Sequence, residues 1–81
     1  MKWQIKVKLK SGILDPQGKT VHHALQHLGF QQIKDVRIGK LMEIELEDMP
    51  EAEARKLLED ASRKLLANPV VEEFEIEGPM P

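Results

Sequence analysis

Trp3, Ile5, Val7 and Leu9 alternate with Gln4, Lys6, Lys8 and Lys10, the period-two pattern of a strand with one buried face. Ser11-Gly12 ends this strand. Asp15-Pro16 then reads as a helix N-cap followed by proline at the first helical position, where its missing N–H is harmless. Val21, Leu25 and Leu28 recur at helical spacing, and Gly29 with Phe30 beyond it supplies a left-handed stop. Val36 and Ile38 among Gln32, Lys34, Asp35 and Arg37 predict a second strand, polar enough for a sheet edge. Gly39-Lys40 predicts a tight turn into Met42, Ile44 and Leu46, which alternate with Glu43, Glu45 and Glu47 as a third strand. Asp48 with Glu51 resembles a capping box, and Ala54, Leu57, Leu58, Ala61 and Leu65 trace the apolar face of a second helix. Asn68-Pro69 stops that helix. Val70, Phe74 and Ile76 against Glu73, Glu75 and Glu77 predict a fourth strand, and residues 78–81 read as a flexible tail.

The order βαββαβ, with no linker or low-complexity tract, predicts a single α+β domain over residues 1–81. Its expected form is a ferredoxin-like sandwich, a four-stranded antiparallel sheet with two helices on one face. Right-handed crossovers give the strand order 4-1-3-2. Charge supports that order. Residues 1–40 carry eight Lys/Arg against two Asp, or +6, and residues 41–81 carry four against twelve acids, or −8. With the first strand between the third and fourth, Lys6, Lys8 and Lys10 face glutamates on either side, each cross-strand pair contributing about 0.2 to 1 kcal/mol.

Composition narrows the function classes. An 81-residue chain without cysteine has neither disulfides nor thiolate metal sites, and a domain of this size buries only about 60% of its unfolded surface, so self-association is expected. No apolar run approaches a membrane span and the N-terminus lacks a signal-peptide core, which makes the cytoplasm the expected compartment. One Trp, two Phe and no Tyr argue against stacking on nucleic acid. His23 and His27 stand at i, i+4, but opposite the core stripe and with no third ligand evident, so no metal site is expected. The strand glutamates read as solvated ion pairs. No nucleophile–base set, phosphate-cradling loop or Rossmann fingerprint is present, so no catalytic residue is expected.

The stretch Gly12-Ile13-Leu14-Asp15-Pro16-Gln17-Gly18 resists a bland reading. It puts two apolar residues in a loop and a glycine in the first helical turn, where glycine costs up to about 1 kcal/mol relative to alanine. Together with Ala24-Leu25, Leu28-Gly29-Phe30, Val36-Arg37, Gly39-Lys40 and Leu66-Ala67-Asn68-Pro69-Val70, this stretch closely resembles the PurS family over nearly the whole chain. The resemblance implies the non-catalytic small subunit of phosphoribosylformylglycinamidine synthase, a ligase of purine biosynthesis. In that family the large subunit uses ATP and Mg, a glutaminase releases ammonia, and the small subunit associates with itself and helps join the two; the small cysteine-free chain is itself expected to form a dimer or tetramer. No cofactor is then expected on this chain. In the expected fold the loop after the first strand, the Gly39 turn and the Asn68 connection lie at one end of the sheet. Asp15, Pro16, Gln17, Gly18, Arg37, Gly39, Lys40 and Asn68 are therefore the candidate partner-binding residues. An ACT-like module that binds a small molecule shares the βαββαβ order and is the alternative reading, resting on fold analogy alone.

Overall fold

The computed structural model describes residues 1–81. Alternation in the first segment produces β1 (Lys2–Leu9), whose Trp3, Ile5 and Val7 are buried. The chain then forms α1 (Pro16–His27), β2 (Gly39–Glu45), α2 (Glu51–Ala61), a π turn (Ser62–Leu66) and β3 (Glu72–Met80). The sheet has three antiparallel strands in the order β2-β1-β3.

The expected four-stranded sheet is thus corrected to three strands, although β1 is central and antiparallel to both neighbours as the charge pattern required. The missing strand is the one predicted around Val36 and Ile38. The expected order places it on the outer edge of β2, but no tight turn folds residues 32–38 back there, and that edge stays unpaired. Gly39 and Lys40 instead begin β2, opposite Lys8 and Val7. A side chain at Gly39 would press within 2.6 Å of the Val7 carbonyl oxygen, so glycine is needed for close strand approach. At the other end Gly78–Met80, expected as a tail, continue β3, with Met80 opposite Lys2.

Both expected helices form, but only α2 packs on the sheet, which corrects their expected placement together on one face. Ala54 and Leu58 join Trp3, Ile5, Val7 and Ala67 in the core, flanked by Met42, Ile44, Leu66, Phe74 and Ile76. Of the helical stripe read from the sequence, Ala54 and Leu58 are buried, Leu57 is exposed, and beyond Leu58 the stripe slips. In the π turn Ala67 N–H donates to the Ser62 carbonyl, the extra residue rotates the following side chains, and Leu66 packs on the core while Leu65 is 83% exposed. Asp48 does not cap α2. Pro50 is its N-cap with no side-chain bond, and Asp48 lies 3.4 Å from the N-terminal ammonium. The guanidinium of Arg55 covers the Trp3 ring at 5.4 Å and that of Arg63 covers Phe74 at 5.7 Å, closing the aromatic edge of the core with cations.

On the opposite face only Lys8 pairs with the glutamate directly across from it, and Lys6 and Lys2 reach diagonally past Glu75 and Glu45. On the β2 side Lys6 and Lys8 stand opposite Leu41 and Gly39, which corrects the expected glutamates on either side. Lys6 meets Glu77 at 2.8 Å, Lys8 meets Glu73 at 3.5 Å and Lys2 meets Glu43 at 3.8 Å. The hydrogen bond to Glu77, reinforced by its charge, holds the Lys6 ammonium above its ordinary pKa.

Helix α1 stands apart, and none of its residues belongs to the core. It starts where Asp15 caps it and ends where Gly29, at φ +99°, lets Gly29 and Phe30 donate to the Gln26 and Leu25 carbonyls. Residues 30–38 return along it. The His22 Nε2 lies 2.8 Å from the Ile33 carbonyl oxygen, an acceptor that requires the proton on Nε2. Helix and returning segment form an arm, and the molecule measures 49 × 29 × 14 Å with a radius of gyration of 16.0 Å, against about 12 Å for a compact chain of this length. No helix is long and apolar enough to cross a membrane.

The core predicts its own test. Leu58→Ala should lower unfolding stability by about 2 to 5 kcal/mol, and Leu65→Ala, one π-turn slip away from the core, by no more than about 0.5 kcal/mol. Denaturant melts of the two variants measure the difference, and equal losses would contradict the slipped stripe.

Candidate functional site

The Asp15 side chain organises the root of the arm. Its Oδ1 accepts from Gly18 N–H at 2.9 Å and its Oδ2 from Ile38 N–H at 2.7 Å. One carboxylate therefore caps α1 and holds the segment leading into β2. Gly18 is in the first helical turn because the Val36 carbonyl oxygen occupies the space where a Cβ would lie. Arg37 completes the join, with Nη1 donating to the Ile13 carbonyl at 2.9 Å and Nη2 to the Lys10 carbonyl at 3.1 Å. The loop leaving β1 and the segment entering β2 are thus tied by side chains from both.

These bonds depress the Asp15 pKa. The Ile38 N–H is the largest cause and the Gly18 N–H the next; burial acts in the opposite direction, and the Arg37 charge lowers the value further. Both donors stabilise the charged form.

Of the eight candidate residues, the structure gathers seven. Asp15, Gln17, Gly39 and Lys40 line one cleft of about 310 Å³ together with Ile38 and Glu72. Arg37, Gly39 and Lys40 also border a cleft of about 600 Å³ against Lys6, Lys8 and Glu73. Pro16 and Gln17 border a third opening beside Ile38, and Gly18 lies beneath, buried. Asn68 is the outlier. Its Oδ1 accepts from Val70 N–H at 3.1 Å and its carbonyl from Val71 and Glu72, so it holds its own turn and reaches the cleft only through Glu72.

The residues divide by what they touch. Asp15, Gly18 and Arg37 are engaged within the chain, whereas Gln17 and Lys40 are exposed at the cleft rim. Sequence reasoning missed the backbone half of the site, the carbonyls of Lys10, Ile13 and Val36 and the N–H of Ile38. The costly glycine at position 18 was the available signal, since it announces a close approach without naming what approaches.

The depressed Asp15 value fixes a pH dependence. Its folded-state pKa lies below the unfolded one, so its contribution is present above about pH 4 and is lost as the pH falls through the folded-state value. Acid unfolding of the parent and of Asp15→Asn should therefore differ, the variant losing less stability between neutral and strongly acidic pH. Parallel acid limbs would contradict this.

Residues 2–79 match the family described as PurS, Phosphoribosylformylglycinamidine (FGAM) synthase. The chain is 41% identical over 76 residues to the Bacillus subtilis synthase subunit PurS, covering 94% of this chain and 89% of that one. Against the Methanocaldococcus jannaschii PurS crystal structure the TM-score is 0.85 at 39% identity, covering 94% and 92% of the two chains. A chain of the Thermotoga maritima PurLQS structure superposes with a TM-score of 0.85 at 34% identity, covering 94% and 93%. With such agreement from end to end, the chain belongs to the PurS family of phosphoribosylformylglycinamidine synthase subunits.

Proposed function

We propose that the chain works as the non-catalytic small subunit of phosphoribosylformylglycinamidine synthase in de novo purine biosynthesis. The reaction consumes formylglycinamide ribonucleotide, ATP and glutamine and yields formylglycinamidine ribonucleotide, ADP, phosphate and glutamate. The small subunit joins the ATP-dependent large subunit to the glutaminase so that ammonia passes between them. The observation that carries this reading is the match of nearly the whole chain, in sequence and fold, to PurS chains, one of them in the PurLQS structure. ATP and Mg are assigned to the large subunit, no cofactor to this chain, and the work to the cytoplasm.

The site geometry suits joining rather than turnover. Asp15 and Arg37 spend their hydrogen bonds inside the chain, and Lys6 and Lys8 are paired with Glu77 and Glu73. Pro16, Gln17, Gly39 and Lys40 present the outward surface, with Asn68 beside it, and this end is assigned to the large subunit or the ammonia path.

Self-association, as dimer or tetramer, belongs to the same reading. Only nine of 81 residues are buried, too few for a domain that must offset its chain entropy alone. Leu14, Val21, Leu28 and Phe30 of the arm are exposed. A second copy covering them would remove from water the apolar surface that the arm leaves uncovered.

Two measurements test this function. The double variant Gln17→Ala and Lys40→Ala should melt within about 0.5 kcal/mol of the parent, yet glutamine-dependent synthesis by the reconstituted complex should fall. Wild-type synthesis would remove this end from the working surface. Light scattering at micromolar concentration should give a multiple of 9.3 kDa, and a monomer alone would contradict self-association.

A further inference from the structure

The arm is attached to the sheet by two crossings of the chain, residues 10–15 leaving β1 and residues 36–39 entering β2. Nothing in the core holds it, since no residue of α1 is among the core or its flanking side chains. What joins the two crossings is a set of side-chain bonds. Arg37, on the incoming crossing, donates to the carbonyls of Lys10 and Ile13 on the outgoing one. Asp15, on the outgoing crossing, accepts from Ile38 on the incoming one. The bracing is reciprocal, each crossing supplying one charged side chain to the other's backbone.

Within the arm the contacts continue in the same sense. The Val36 carbonyl sits over Gly18 and the Ile33 carbonyl meets His22. Helix and returning segment are therefore coherent with each other, and the only place where the arm can pivot against the sheet is its root.

We propose that Asp15 and Arg37 are positioning residues that fix the direction in which α1 leaves the sheet, so that its exposed apolar residues are presented in one orientation. The consequence for assembly rests on the small-subunit reading above; the direction of the arm does not. Arginine suits the role because its planar fork reaches two carbonyls at once, which a lysine ammonium on a single point does not reproduce. Aspartate suits it because each carboxylate oxygen accepts a separate backbone N–H, and asparagine retains only one acceptor oxygen.

The absence of cysteine allows a clean measurement. His27→Cys at the far end of α1 and Lys56→Cys on α2, both at exposed positions, take spin labels, and the labelled chain is diluted into excess unlabelled chain so that only distances within one chain are read. Pulsed electron resonance should give one narrow distance peak in this background. Adding Asp15→Asn or Arg37→Lys should broaden and shift the peak, and the two together more than either. Thermal melts and circular dichroism on the same samples establish that the sheet and α2 remain folded, and Arg37→Lys, whose side chain is exposed, keeps the test open if Asp15→Asn does not fold. A peak unchanged in the folded variants would overturn the proposal. Complex assembly by the same variants reports separately on the small-subunit reading: an arm that moves supports the bracing whether or not assembly is kept.

Discussion

β1 is the one strand with a hydrogen-bonded neighbour on each side, and every other packed element depends on it. Its odd-numbered residues Trp3, Ile5 and Val7 are buried against α2, while its lysines meet the glutamates of both neighbours on the other face. The same eight residues therefore set the core, the strand register and the charge balance between the two halves of the chain. A one-residue slip of β2 or β3 would carry apolar residues to the solvent face and bring glutamates to the core face at the same time. Hydrophobic and electrostatic preferences reject it together.

The loop leaving β1 inherits a definite problem from this arrangement. The segment before β2 runs out along α1 instead of folding back onto the open outer edge of β2, and its backbone groups need other partners. Asp15 supplies an acceptor for the Ile38 N–H, and His22 a donor for the Ile33 carbonyl. Side chains of α1 thus do for residues 33–38 what a neighbouring strand does elsewhere, and the arm is the result.

How much of this was legible in the sequence follows from the range of each interaction. The alternation of β1 and of Met42–Leu46, the Asp15-Pro16 start and the Gly29 stop of α1 are local signals, and the structure follows them. The convergence of Asp15, Gln17, Arg37, Gly39 and Lys40 was also legible, because it needs only the strand directions. The fate of Val36 and Ile38 was not. Two apolar residues at period two fit a strand edge equally well whether or not a partner strand is in reach, and pairing is a property of the whole sheet. The π turn was hidden for a related reason: Leu65 and Leu66 are both leucine, so nothing in the pattern says which of them faces the core.

The shape of the molecule finally links its stability to its role. An arm that contributes nothing to the core still has to be ordered, at about 1 to 2 kcal/mol for each residue's backbone, and its own burial is small. Side-chain bonds at the root limit the freedom of the arm but cannot offset that whole cost, since a hydrogen bond contributes about 0.5 to 1.5 kcal/mol net. Val21, Leu28 and Phe30 are exposed, and on the proposed reading the remainder comes from a partner surface that covers them. A subunit built in this way gains order when it is assembled, and the braces at Asp15 and Arg37 reduce what assembly must supply by holding the helix near one direction beforehand. On the proposed small-subunit reading, joining other chains and covering the arm are one physical event.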